Sequence, residues 1–324
     1  MDAIISYFSS LNPVAFFTAL PGNIAQGIIW GLMALGVFIT FKLLNFADLT
    51  VDGSFATGGA VTAVLLVAGC PVWLAVIAAL IAGVLAGLIT GLLHTLLGIP
   101  DILSGILTQI DLYSINLNIM GCANLPVSYR NYSLLLSSSN ITMAIIVALG
   151  IAAVVVAAMY WYFGTEQGAS IRATGCNPAM SKAQGINISF TKVIALALSN
   201  GLVAMSGALL AQYQGFADIN MGRGAIVIGL AAVIIGQVLG EAIFRKKMNF
   251  IIRLIFVIIG GILYYISMGI VLWLKMPSDD MKLFTAVIVA IFLAVPYLQN
   301  KRRTSFKKVA KQNAKSVSQE GGNS

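Results

Sequence analysis

The chain has 324 residues, of which 59% are hydrophobic and only 9% charged, with a formal net charge of +8. A soluble domain carries about 25% charged residues, so there is too little charge here to coat a water-facing surface, and the apolar excess must face lipid. The basic balance does not indicate nucleic acid, because Lys and Arg stand at the ends of apolar runs and in the C-terminal tail rather than interleaved with aromatics on one polar domain.

A helix needs about 20 mostly apolar residues to cross the hydrocarbon layer. Runs at 14–41, 55–69, 72–97, 102–120, 141–163, 190–212, 225–239, 250–274 and 283–298 predict an all-α, polytopic membrane protein of nine spans, within a range of eight to ten. Residues 1–13 read as an interfacial segment, 14–300 as the transmembrane domain and 301–324 as a polar, basic tail with too little apolar surface to fold alone. No basic residue precedes Lys42 and no cleavage pattern follows a basic region, so no secretory signal peptide is expected. With nine spans, Lys42, the group Arg172, Lys182 and Lys192, the group Arg245 to Lys247 with Arg253, and the tail all fall on one side. Only Arg130, Arg223, Lys275 and Lys282 fall on the other. The positive-inside rule makes the basic side the cytoplasm, places the C-terminus there and assigns the chain to the cell (cytoplasmic or inner) membrane.

Glycines recur four residues apart at Gly27 and Gly31, at Gly83, Gly87 and Gly91, and at Gly236 and Gly240, which predicts close helix–helix faces inside lipid. Cys70, Cys122 and Cys176 have no metal spacing. Cys70 and Cys122 share the outer side, so a disulfide and two separate thiols both stay open. His94, the sole histidine, can build neither a metal site nor a proton relay alone and reads as packed or interfacial.

The sequence resembles itself at an offset of 170 residues. Phe46-Ala47-Asp48 recurs as Phe216-Ala217-Asp218, and Ile24, Ala25, Gly31, Leu32 and Ala34 match Ile194, Ala195, Gly201, Leu202 and Ala204. Five predicted spans separate the copies, an odd number, so the halves (about 14–165 and 190–300) would run in opposite directions. Such inverted repeats place a transport path at their interface, lined by broken helices. The stretch Asn45 to Ser54, with Asp48 and Asp52, and the stretch from Asp218 to Gly224 mix Asp, Asn and Gly before an apolar run, as an interruption requires. Asp48 and Asp218 are expected to cap the helix that follows each; both also stand as candidates for the path, with Asn45 and Asp52.

The run at 102–120 is the polar one. Ser104, Thr108 and Asp111 share a face at three- and four-residue spacing. A charge in a span costs about 3 kcal/mol or more against lipid and turns to the interior or a cavity. This face is a candidate lining of the path, with Asp111 placed to attract an amino group; hydrogen bonding between helices is the other reading.

Between the fifth and sixth runs, residues 164–189 form a loop with helix punctuation: Asn177 suits an N-cap, Pro178 the first helical position and Gly185 the left-handed position past the end. Two turns do not persist alone in water, so a partner surface or the flanking spans must hold this helix. Arg172-Ala173-Thr174-Gly175-Cys176-Asn177-Pro178 and Ala183-Gln184-Gly185-Ile186-Asn187 resemble the coupling-helix loop of ABC importer permeases in the branched-chain amino acid and ribose permease superfamily. Asn45 to Ser54, Ile99-Pro100-Asp101, Leu112 to Leu117 and Ala211 to Asp218 are similar to the branch described as tryptophan/tyrosine transport permeases.

That resemblance implies a homodimeric, non-catalytic permease subunit that carries a small solute, an amino acid and in this branch an aromatic one. Its partners would be a cytoplasmic ATPase, a second permease copy, an external substrate-binding (lipo)protein and membrane lipid, with no nucleic acid. The coupling contacts would come from Arg172, Thr174, Gly175, Asn177, Pro178, Met180, Lys182, Ala183 and Gly185. This chain would bind no cofactor; ATP and Mg would sit on the ATPase, in keeping with the absence of a G-x-x-x-x-G-K-[ST] loop here. The chain departs from the branch at Asp111, where relatives are mostly neutral, and at Arg223, in a Gly-rich stretch that usually lacks charge. A self-contained, ion-coupled carrier is the alternative, since inverted repeats and buried aspartates suit it equally. An intramembrane enzyme is disfavoured for want of a nucleophile–base pair.

Overall fold

The computed structural model describes residues 13–128, 132, 134–244 and 248–274, with isolated positions between 283 and 294. Helix α1 (Pro13–Val37) runs on as a π-helical segment (Phe38–Leu44), followed by α2 (Thr50–Val67), α3 (Val72–Leu96), α4 (Asp101–Met120) and α5 (Ile141–Gly164). Two short helices, α6 (Glu166–Cys176) and α7 (Pro178–Ala183), lead into α8 (Ile188–Gln214), α9 (Ala225–Phe244) and α10 (Phe250–Trp273). Among the described residues seven helices are long and apolar enough to cross a membrane: α1 with its π-helical extension, α2, α3, α5, α8, α9 and α10. The run at 102–120 forms the 20-residue α4, whose polar residues set it apart from these seven. The ninth expected span, 283–298, lies largely outside the described residues, as do the N-terminal segment, Arg130, residues 245–247 and the tail.

Three boundaries differ most from expectation. The first span continues past Phe41 to Leu44, α2 begins at Thr50 rather than at 55, and α9 runs on to Phe244 rather than ending at 239. Polar residues open α2 because each has a partner inside the bundle: Thr50 N–H donates to Asp48 Oδ1 at 2.9 Å, and Ser54 Oγ donates to Asn200 Oδ1 at 2.7 Å. A hydropathy reading discards such residues, whereas the fold uses them.

Helices α1 and α8 form the buried centre, and α2 packs beside them. The glycine spacing sets the closest approaches. A Cβ on Gly87 would stand 2.8 Å from Ala197 Cα, and one on Gly91 would stand 2.9 Å from Val193 Cα, so α3 meets the backbone of α8. Gly27 and Gly31 bring α1 equally close to Ile262 and Ile258 of α10, and Gly236 brings α9 onto Phe256. Without a hydrophobic force between helices in lipid, contacts of this kind carry association. The opposite edge of α3, with Ile77, Ile81, Leu85 and Ile89, is exposed and apolar, as lipid contact requires.

A two-stranded antiparallel ribbon, β1 (Asn124–Pro126) with β2 (Phe216–Asp218), ties the connection after α4 to that after α8, with Leu125 opposite Ala217. Cys70 and Cys122 are free thiols.

Candidate functional site

The two stretches singled out by the internal similarity have parallel backbones. The π-helical end of the first span stops at Asn45 in the left-handed conformation (φ 56°), and α8 stops at Gly215 in the same conformation (φ 80°), 170 residues later. Asn tolerates this region better than other side chains. Asp48 Oδ1 then accepts from Thr50 N–H, and Asp218 Oδ1 accepts from Asn220 N–H at 2.7 Å, the same two-residue step.

The partners of the two aspartates diverge. Asp48 is buried, and its second oxygen accepts from Asn200 Nδ2 at 2.7 Å. Asp218 is half-buried at the ribbon, where Asn124 Nδ2 lies 3.4 Å from Oδ2. Asp48 accepts from Thr50 N–H, the first of α2, but stands one residue ahead of the N-cap, Leu49, which makes no side-chain cap. Asp218 does not serve α9: that role falls to Asp52, whose Oδ2 accepts from Gly224 N–H and Oδ1 from Ile226 N–H, both at 2.9 Å. The first turn of α2 thus satisfies two free donors at the head of α9, and the N-terminal ends of the two helices meet.

Beside this junction lies a cavity of about 380 Å³ between α2, α4 and the turn before α9. Its polar walls are Asp52, Gln109, Tyr113, Ser114, Asn116 and Arg223, and Ile106, Ile110 and Ile219 supply apolar surface. Ligand pockets occupy about 300–1,000 Å³, so the volume suits a small solute. Asn116 is fully buried, and neither its Nδ2 nor its Oδ1 has a protein partner.

Of the candidates on α4, none of the three lies at this cavity. Ser104 and Thr108 are buried in helix packing. Thr90 of α3 donates to Thr108 Oγ1 at 2.9 Å, Thr108 donates to Ser104 O at 3.0 Å, and Thr50 Oγ1 lies 2.7 Å from Thr90 Oγ1. Thr90 Oγ1 also lies 3.2 Å from Ala86 O, so these hydroxyls tie α2, α3 and α4 together in one buried cluster. Asp111 is exposed, on the flank turned away from the cavity. Neither Asn45, which is exposed, nor Asp48, which is buried, lines the cavity, which leaves Asp52 as the sequence candidate at its wall. Gln109, Tyr113, Ser114, Asn116 and Arg223 escaped the sequence reading as a set. The available signals were the polarity of the fourth run and the unusual charge at Arg223.

The loop at 164–188 divides into an inner and an outer face. Asn177 Oδ1 accepts from Met180 N–H at 3.1 Å, and Gly185 takes a left-handed φ of 84°, so α7 has the predicted start and stop. Asn177, Pro178, Met180, Lys182, Ala183 and Gly185 are exposed, with Met180 at 58%. Thr174 and Gly175 face the other way: Thr174 is buried, and Gly175 packs on the Leu43 carbonyl, so close that no Cβ fits. Arg172 lies over the Phe250 ring, 5.9 Å from its centre, a cation–π contact that anchors α6 on α10. His94 at the same end links α3 to α8: its Nε2 is 2.9 Å from Lys192 Nζ and its Nδ1 is 2.8 Å from Ile99 O. A charged Lys192 donates to Nε2, which puts the imidazole proton on Nδ1.

Residues 22–296 match the family model described as branched-chain amino acid transport system, permease component. The chain is 39% identical over 292 residues to a tyrosine transport system permease protein of Clostridioides difficile (strain R20291), covering 90% of this chain and 96% of that one. It is 32% identical over 272 residues to an uncharacterized protein of Rickettsia prowazekii (strain Madrid E), covering 83% and 94%. Among solved structures, PsaBC from Streptococcus pneumoniae in complex with Fab shares the fold, with a TM-score of 0.50 at 13% identity over 89% of this chain and 95% of that chain. The match across residues 22–296, together with the polytopic helical fold, makes this chain a member of the family of branched-chain amino acid transport system permease components.

Proposed function

We propose that the chain is the membrane-embedded subunit of an ATP-binding-cassette importer, and that it forms the path for an amino acid, tyrosine or a close aromatic relative, delivered by an external binding protein. The observation that carries this reading is α7. It is a capped two-turn helix whose outward side, with Pro178, Met180 and Ala183, is exposed between two spans, while α6 behind it is fastened to the bundle through Gly175 and Arg172. A helix too short to persist alone, rigidly mounted and left uncovered, suits a groove on another chain. The name of the 39%-identical relative supports the substrate class.

In this reading the loop faces the cytosol, the C-terminus lies on the same side of the cell membrane, and 283–298 completes nine spans. The matched left-handed stops at Asn45 and Gly215 and the matched steps at Asp48 and Asp218 support an inverted repeat. Two copies pair, each holding one α7 against an ATPase that binds ATP and Mg. Asp52 and the cavity walls on α4 line the path, and Asp48 with Asn45 holds the break open beside it.

The test is co-purification of a nucleotide-hydrolysing chain with the full protein from its native membrane, followed by uptake of labelled L-tyrosine into vesicles with and without ATP. Uptake driven by an ion gradient alone, with no ATPase attached, would return the carrier reading.

A further inference from the structure

Building on the permease reading, we infer that the cavity between α2, α4 and the turn before α9 is itself a recognition site for the zwitterionic head of an α-amino acid, with Arg223 taking the carboxylate and Asn116 completing the contact.

Three features point there. First, the cavity wall carries one cation and one anion, Arg223 and Asp52, and no ion pair joins Arg223 to any described residue. The guanidinium offers a planar fork of donors that matches a carboxylate. Asp52 spends one lone pair of each oxygen on Gly224 and Ile226 N–H, and has further lone pairs for an ammonium group. Second, Asn116 is fully buried at the cavity with donor and acceptor both unpartnered. Buried polar groups are nearly always paired, and an amide can serve both a carboxylate and an ammonium. Third, Ile106, Ile110 and the Tyr113 ring give an apolar wall for a side chain.

Charge balance then sets selectivity. Once a ligand displaces water from the cavity, a charge left without a partner there is expensive. A zwitterion pairs with both Arg223 and Asp52 and leaves the cavity neutral, whereas an amine without a carboxylate leaves Arg223 unpaired, and an acid without an amine leaves Asp52 unpaired. The permease would therefore discriminate by itself, beyond what a delivering protein selects.

The experiment is equilibrium binding of tritiated L-tyrosine to the full chain in nanodiscs, without ATPase or binding protein, competed by unlabelled L-phenylalanine, tyramine and 3-(4-hydroxyphenyl)propionate. Expected are competition by phenylalanine and little by the other two, an affinity loss of about tenfold or more in Arg223→Gln, and a smaller loss in Arg223→Lys. Asn116→Leu should lose affinity while its melting temperature holds or rises, because it removes an unpaired buried amide; a merely structural asparagine would lower both. Wild-type affinity in Arg223→Gln and Asn116→Leu, or equal competition by tyramine, overturns the inference. No binding by the wild type also overturns it, and leaves the importer reading standing if the assembled system still shows ATP-driven tyrosine uptake.

Discussion

Asn200 Nδ2 donates to Asp48 Oδ2 at 2.7 Å, joining the break before α2 to the middle of α8 across 152 positions of sequence. The same amide oxygen receives Ser54 Oγ–H, and Nδ2 also reaches Leu196 O at 3.0 Å, so the amide spends both of its ends in the core. Asn200→Leu would leave a buried carboxylate short of a donor and should lower stability by about 3 kcal/mol. Asp48→Asn keeps the shape without the charge and should cost less. Thermal unfolding in detergent would rank them; equal melting temperatures for Asn200→Leu and wild type would remove the network from the fold's supports.

Asp52 holds the head of α9 from the first turn of α2. Loss of a cap costs about 1 kcal/mol, and here two donors depend on one carboxylate. Wild type, Asp52→Asn and Asp52→Ala should therefore fall in that order of stability, since the amide retains one acceptor. Hydrogen exchange at Gly224 and Ile226 should rise in Asp52→Ala and stay protected in Asn200→Leu, if the two junctions are independent.

Met180 is exposed on a helix mounted firmly from behind. Met180→Glu should abolish retention of the ATPase on affinity resin while changing stability by less than about 0.5 kcal/mol. Gly185→Pro acts differently: proline is fixed near a φ of −65°, whereas Gly185 needs 84°. It should misplace α7 and separate ATP hydrolysis from uptake. If both variants retain the ATPase and coupled uptake, α7 is not the docking helix.

On α4, Gln109 lies at the cavity and Asp111 on the flank turned away from it. Gln109→Leu should therefore change the concentration dependence of tyrosine uptake, and Asp111→Asn should leave it within about twofold, the range of a surface substitution. The reverse result would place the path on the other flank of the helix.

The sequence showed most plainly what is local. Asn177, Pro178 and Gly185 mark α7 because capping chemistry is read within a few residues, and the four-residue glycine steps mark the close helix faces. What it hid was partnership over distance. Asp52 and Gly224 are 172 positions apart, and nothing in either stretch says that one helix head serves the other. Spacing put Ser104, Thr108 and Asp111 on one face, yet Asp111 stands at the edge of that face, and only the packed neighbours α2 and α3 determine that its side is open. The start of α2 was set late because Thr50, Asp52 and Ser54 look like loop residues until their partners are known.

In the proposed importer, the meeting of α3 and α8 through Gly83, Gly87 and Gly91 would bear on how a displacement at α7 travels. Two rods in contact along their main chains have no flexible side chains between them to absorb a displacement, and the imidazole–lysine clasp of His94 and Lys192 locks the same end. Because α8 starts within a few residues of α7, a shove delivered there by the proposed ATPase would be carried by both rods as one stiff beam, rather than dissipated in the first turn.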